Sequence, residues 1–382
     1  MNKKKNTSLK ILFVLPSLDA GGAERVMISL MNNLDRNKYD PALLSIRRDG
    51  PLKSIIDPAI PFYTRDRKAT KLIFPFLFSL YKKIKRIKPD IIVSTMPLAN
   101  FAILMLKPFL PKTILIVREA ITPSFFFQKY KKNNWIIKKL YQKLYKKADC
   151  ILSPSQKIFD EFNNKLRIDP SNFILLKNPV NVSKIRDSIK FKNKTEESKN
   201  TVHFIACGRL GKQKGFDRLI NALNKFDPPH NWRLDILGEG SERPYLEKLI
   251  KTNKLEGKVF LKGLVMPPYS DMAHADCFVM PSRFEGLPNV VLESLACGTA
   301  VIATKESGGI EEIATDCSAG NVCVVENISD FITEMEKVKP QSKTQASPSL
   351  LAKCYEQDKI FSQFDSILDT VTLPKTKDKS SN

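Results

Sequence analysis

Residues 276–293 read Asp276-Cys277-Phe278-Val279-Met280-Pro281-Ser282-Arg283-Phe284-Glu285-Gly286-Leu287-Pro288-Asn289-Val290-Val291-Leu292-Glu293. An apolar run of strand length, Asp276–Met280, passes through a Pro-Ser turn to Pro288, a residue suited to the first position of a helix. A buried strand followed at once by a helix is half of a βαβ unit, and such units stack into parallel sheets. The backbone N–H groups of Gly286, Leu287, Asn289 and Val290 then face whatever lies beyond the helix start, which makes a cradle for phosphate. Glu293, one turn in, can accept hydrogen bonds from a vicinal diol, and Glu285 stands in the loop nearer the strand end. Both can equally be solvated or serve as partners of the helix dipole.

The same alternation continues upstream. Strand Thr201–Cys207 leads into Gly208-Arg209-Leu210-Gly211-Lys212-Gln213-Lys214-Gly215-Phe216-Asp217 and then a helix. Arg209 and Lys214 flank flexible glycines at a strand's carboxyl end, suited to neutralising a diphosphate. Strand exits at Gly238 and at Gly263-Leu264-Val265 can hold a flat base by backbone contacts, or be ordinary turns. Residues 1–182 repeat the pattern, beginning with strand Lys10–Pro16 and a Gly21-Gly22 turn that lets the backbone approach a ligand closely. The expected organisation is two doubly wound α/β domains facing a cleft, at 1–182 and 201–345. A polar, aperiodic stretch at 183–200 joins them as a linker, and a helix at 351–370 and a charged tail at 371–382 follow.

Composition fits two globular domains: 382 residues, 42% hydrophobic, with 23 Phe. The longest charge-free apolar stretch, 91–106, is interrupted by polar residues and falls short of a bilayer span. The basic start runs directly into a core strand without a small-residue cleavage site, so the N-terminus is expected in the cytoplasm. Seven scattered Cys without a C-x-x-C pair argue against a zinc site or a disulfide framework. The net charge of +22 is confined to one half: residues 1–200 carry 40 Lys/Arg and 16 Asp/Glu, whereas 201–382 carry 22 and 24. It concentrates at Lys82–Lys88 and Lys129–Lys147, blocks that seek anionic surfaces. Phe125, Phe126 and Phe127 beside Lys131, Lys132, Lys138 and Lys139 have the composition of an interfacial membrane anchor, and the run 72–81 before Lys82 has it too. In both segments the competing reading is core Phe and a solvated Lys face.

Absences narrow the chemistry. The first 200 residues contain no His, no two Asp stand two apart, and H-E-x-x-H, G-x-S-x-G and Walker signatures are missing. An enzyme built on these motifs is expected to work without a metal or cofactor. Nucleic acid is not an expected partner, because the basic segments lack interleaved aromatic platforms.

Taken together, GGAERV, GRLGKQKGFD, LDILGEG and MPSRFEGLPNVVLESLACGTAVIATKESGGIEEI resemble the retaining glycosyltransferase family 4, of GT-B fold. The resemblance is specific over about 201–313 and thinner before it. It implies two Rossmann-like domains and a C-terminal helix that packs back toward the first. By resemblance Glu285 lies near the transferred sugar, Glu293 binds the ribose hydroxyls, Arg209 and Lys214 bind the diphosphate, and Gly22 borders it. Many members carry a His after the fourth strand of the first domain, where this sequence has Arg118-Glu119, the expected acceptor-side residues. The implied reaction is a metal-independent, retaining transfer of a hexose or N-acetylhexosamine. The implied donor is a UDP-sugar and the acceptor a lipid-linked glycan at the cytoplasmic membrane face. A nucleotide-sugar 2-epimerase shares the architecture but would place acid/base residues, often His, in the first domain.

Overall fold

Strand β1 (Leu9–Leu15) buries Ile11 through Leu15 completely, as a parallel strand covered on both faces does. The computed structural model describes residues 8–19, 21–47, 50–64, 73–129, 134–190, 200–341, 343 and 345–373. After β1 come α1 (Gly22–Asn32), β2 (Tyr39–Ser45), β3 (Phe62–Thr64), α2 (Ile73–Ile87), β4 (Ile91–Thr95), α3 (Pro97–Leu106), β5 (Ile114–Arg118), α4 (Pro123–Lys129), α5 (Asn134–Leu144), β6 (Cys150–Ser153), α6 (Gln156–Asp160) and β7 (Phe173–Leu175). Among the described residues these strands form one parallel sheet ordered β3-β2-β1-β4-β5-β6-β7. The period of two along β1 sends Leu12 and Val14 to one face and Ile11 and Phe13 to the other. Each face carries its own core.

The chain then forms α7 (Val182–Asp187), β8 (Thr201–Cys207), α8 (Phe216–Ala222), β9 (Asn231–Leu237), α9 (Arg243–Thr252), β10 (Val259–Gly263), α10 (Tyr269–His274), β11 (Cys277–Met280), α11 (Asn289–Ala296), β12 (Val301–Thr304), α12 (Ile310–Asp316), β13 (Val322–Val325), α13 (Ile328–Glu336) and α14 (Gln357–Thr372). The second parallel sheet is ordered β10-β9-β8-β11-β12-β13. Contacts divide the chain into one unit of 1–154, 158–179 and 358–382 and another of 155–157 and 180–357. Both sheets show the doubly wound order, with the reversal between β1 and β4 in the first unit and between β8 and β11 in the second. Exit loops on either side of such a reversal leave a crevice for ligands.

Helix α14 belongs to the first unit. Its Ile360, Phe364, Ile367 and Leu368 join the core around Phe13, and Tyr39 Oη donates to Asp369 Oδ1 at 2.8 Å. Truncating a buried Phe such as Phe364 costs about 3–5 kcal/mol.

Two local expectations are corrected. The stretch at 183–200 opens not as linker but within α7, where Asn181 Oδ1 accepts from Lys184 N at 2.8 Å and Ile185 is buried. Residues 191–199 lie outside the described residues. Pro288 is the cap of α11 rather than its first residue: its backbone is extended, and its carbonyl accepts from Val291 N at 3.1 Å.

Candidate functional site

In the second unit the exits of β8, β9 and β10 draw together through glycines. Gly208 N donates to Leu237 O at 2.9 Å, and Gly238 N donates to Gly263 O at 2.7 Å. A Cβ on Gly238 would stand 2.0 Å from Gly208 O, so no other residue permits this approach. Beyond Gly208 the chain turns through Lys212–Lys214 to Gly215, which has φ +68° and lies directly against Pro281 O in the loop after β11. The loops after β8 and β11 therefore meet across the strand reversal.

That meeting joins two of the expected residues. Lys214 Nζ donates to Glu285 Oε1 at 2.7 Å, with side chains 15% and 12% exposed. Ser282 Oγ donates to the same oxygen at 3.1 Å, and Gln213 Nε2 to Glu285 Oε2 at 3.3 Å. The aliphatic stem of Lys214 crosses Gly208, where an added Cβ would be 2.7 Å from Lys214 Cε. The Arg209 side chain, by contrast, is exposed and has no hydrogen bond or ion pair among the described residues. A cation held against a carboxylate thus sits close in sequence to one that is open to an incoming anion.

Past Glu285, Gly286 and Leu287 are buried, and Gly286 O accepts from Gly309 N at 2.7 Å. Asn289 and Val290 open α11, and Glu293 is 9% exposed. Val265, after β10, is half-buried against the core beneath α11. No three His, Cys, Asp or Glu side chains among the described residues converge as metal ligands.

Sequence reasoning missed the residues that hold these loops in place. Arg283 forks onto Asp217 with contacts of 2.6 and 2.8 Å. Burial pushes the Asp217 carboxyl up, but the Arg283 guanidinium and backbone N–H groups together outweigh it and hold the group below the usual carboxylate range. Arg218 reaches the carbonyls of Pro281 and Ser282. The available signal was the charged pair Asp217-Arg218 placed immediately after the Lys-Gly motif.

In the first unit Gly21 caps α1, and a Cβ there would lie 2.0 Å from the Glu24 carboxylate folded back over it. Arg118 and Glu119 are fully buried. They follow opposite faces of the sheet: Arg118 Nη2 donates to Asn178 Oδ1, and Glu119 accepts from Tyr145 Oη. Burial brings Arg118 down to about 10 and drives Glu119 up to about 8. At neutral pH the arginine is therefore charged and the carboxyl largely protonated.

The aromatic part of the expected anchor is also corrected. Phe126 is buried, and Phe125 and Phe127 are half-buried. Phe126 and Phe127 pack on Tyr141, with ring centroids 6.3 and 5.7 Å away. Their contacts within the unit take up the apolar surface that a membrane would need. Lys138 and Lys139 are exposed, while Lys131 and Lys132 lie outside the described residues. The exposed apolar side chains are elsewhere: Phe74 at 85%, Phe78 at 58% and Trp135 at 62%. Lys82 Nζ lies 4.5 Å from the Phe78 ring centroid and Lys139 Nζ lies 5.0 Å from that of Trp135. No helix among the described residues is long and apolar enough to cross a membrane.

Comparison with known proteins agrees with this architecture over nearly the whole chain. The family model described as Glycosyl transferases group 1 matches residues 186–352, and that of Glycosyltransferase Family 4 matches 20–184. The chain is 31% identical over 369 residues to the N-acetylgalactosamine-N,N'-diacetylbacillosaminyl-diphospho-undecaprenol 4-alpha-N-acetylgalactosaminyltransferase of Campylobacter jejuni, covering 92% of this chain and 97% of that one. A second Campylobacter jejuni protein, a GalNAc-alpha-(1->4)-GalNAc-alpha-(1->3)-diNAcBac-PP-undecaprenol alpha-1,4-N-acetyl-D-galactosaminyltransferase, is 27% identical over 317 residues, covering 81% and 82%. Among solved structures, Alr3699/HepE of Anabaena in complex with UDP-glucose superposes with a TM-score of 0.73 at 19% identity, covering 95% of this chain and 100% of that one.

Proposed function

The chain belongs to the group 1, family 4 glycosyltransferases, and on that footing we propose that it moves an N-acetylhexosamine, with retention, from a UDP-sugar to a glycan carried on a lipid diphosphate. The observation that carries the reading is the cationic arrangement at the β8 exit. The unpartnered Arg209 grips the diphosphate, and Lys214 turns toward it from Glu285 as negative charge develops on the leaving group. Glu285 orients the transferred sugar and Glu293 the ribose. Gly208, Gly286, Leu287, Asn289 and Val290 bring backbone to the phosphates, and Gly238 and Val265 hold the base.

Side-chain cations and a helix start supply the charge that a metal would otherwise bring, so activity should survive excess EDTA. Loss of activity restored by Mg²⁺ or Mn²⁺ would contradict that part. The leaving phosphate takes the proton of the acceptor hydroxyl on the face from which it departs, which gives retention without a protein nucleophile. The choice of N-acetylhexosamine and of a lipid diphosphate rests on the two Campylobacter jejuni relatives, whose names specify both.

We further place the first unit on the cytoplasmic membrane face through α2 and the start of α5. Exposed Phe74, Phe78 and Trp135 there stand beside Lys82 and Lys139, as in interfacial anchors. A cavity of about 280 Å³ walled by Lys82, Lys83, Arg86, Leu44 and Ile46 adds cationic surface for an anionic headgroup.

The test is incubation with UDP-N-acetylgalactosamine, UDP-N-acetylglucosamine, UDP-glucose and UDP-galactose, with and without undecaprenyl-diphosphate-linked glycan, followed by NMR of the product linkage. An α-linked N-acetylhexosaminyl product supports the proposal; a β-linkage, or no transfer from any of the four, refutes it.

A further inference from the structure

Arg218, in the first turn of α8, is 19% exposed and uses its whole fork on neighbouring loops. Its Nε donates to Pro281 O at 2.9 Å, and its Nη2 donates to Ser282 O at 2.8 Å and to Thr304 Oγ1 at 3.0 Å. The remaining Nη1 pairs with Glu306. Ser282 O also accepts from Thr304 Oγ1 at 2.9 Å and from Ser307 Oγ at 3.2 Å, and Ser282, Thr304 and Ser307 are fully buried. Ser282 Oγ in turn donates to Glu285 Oε1. One planar guanidinium thus ties together the segments following β8, β11 and β12, three residues before the carboxylate assigned to the donor sugar.

Nothing about the sheet requires a cation here. The carbonyls after β11 would be solvated or bonded by neutral donors in an ordinary strand exit, and Arg218 touches no group proposed to meet the substrate. Its geometry is that of a brace: three N–H directions fixed by one rigid plane, which a lysine ammonium on a flexible stem does not reproduce.

We propose that Arg218 is a positioning residue, which by gripping the Pro281 and Ser282 carbonyls sets the loop that aims Glu285 at the donor. This rests on the reading that Glu285 serves the donor sugar. The brace acts through Ser282 and the 281–285 backbone, so its loss leaves nucleotide binding at Arg209 and α11 intact while the reacting sugar is misplaced. A displacement of about 1 Å costs on the order of 10²-fold in rate.

The experiment compares Arg218→Ala, Arg218→Lys and Glu285→Gln with the unaltered protein. Turnover is measured with whichever of the four UDP-sugars above the unaltered protein uses fastest, and UDP affinity by calorimetry. Arg218→Ala is expected to lower kcat about 10²-fold, with UDP Kd changed less than about threefold. Millimolar guanidinium should restore part of kcat by refilling the site. Arg218→Lys should fall between the two, without guanidinium rescue. Unimpaired kcat in Arg218→Ala beside a crippled Glu285→Gln overturns the brace. So does a parallel loss of kcat, UDP affinity and Tm without guanidinium rescue, or failure of both Arg218 variants to fold, since each makes Arg218 a residue of the fold alone. A fully active Glu285→Gln would instead overturn the reading of Glu285 on which the brace depends.

Discussion

Glu285→Gln separates binding from turnover in opposite directions. In the structure Lys214 Nζ donates to Glu285 at 2.7 Å between two largely buried side chains. A hydrogen bond between charged groups contributes about 1.5–3 kcal/mol net, and a neutral partner supports about half of that. Replacing the carboxylate by an amide of the same shape releases about 0.8–1.5 kcal/mol of the hold on Lys214. It also removes a negative charge from beside the proposed diphosphate position. Both changes favour an incoming anion, so UDP should bind about five- to tenfold more tightly. Turnover should nevertheless fall by at least about 10²-fold, because the group that orients the sugar is gone. Isothermal calorimetry with UDP and initial rates with the preferred UDP-sugar measure the two effects on the same preparation. UDP affinity that is unchanged or weaker in Glu285→Gln would refute the reasoning, because it would mean that the carboxylate does not compete with the nucleotide for Lys214.

Arg209→Ala, at an exposed and unpartnered site, should leave Tm within about 1 °C yet cost about 2.7–4 kcal/mol in transition-state stabilisation, read as kcat/KM. A large drop in Tm or an unchanged kcat/KM would remove it from the site. Burial raises the folded-state Glu119 to about 8 from an ordinary value of 4.5. The folded protein therefore holds a proton that the unfolded chain has released between those pH values, and this group's contribution to stability declines as pH rises from about 4.5 to 8, by up to about 1.4 kcal/mol per pH unit. Denaturant unfolding across that range should show a shallower decline in Glu119→Gln, and identical slopes would show that Glu119 ionises normally in the folded state. Co-sedimentation with anionic vesicles should be strong at low salt and weak at high salt. Replacing Phe74, Phe78 and Trp135 by Ser should abolish it, and binding unaffected by the triple replacement would move the membrane contact elsewhere.

Much of the framework could be read along the chain because its signals are local. The strand Thr201–Cys207 is found with the expected boundaries, since a covered parallel strand is a largely continuous apolar run bounded by turn residues. Glycines at 208 and 238 announce strand exits where backbone approaches backbone. The short strands at Phe62–Thr64 and Phe173–Leu175 escaped notice because three half-buried residues at a sheet edge carry no periodicity.

Tertiary structure alone decided which side chains meet. Phe126 and Phe127 read as part of a membrane anchor until Tyr141, on the next helix, covers them. Arg118 and Glu119 read as acceptor-side residues after a strand, and only the fold shows that both are enclosed, with Asn178 against the arginine. The Lys214–Glu285 pair spans 71 residues, and the Arg218 brace spans 63 to 88. Those contacts exist because the sheet order sets β8 beside β11. Strand order is fixed by how whole βαβ units pack and cross over, a choice that the local pattern of any one unit does not encode.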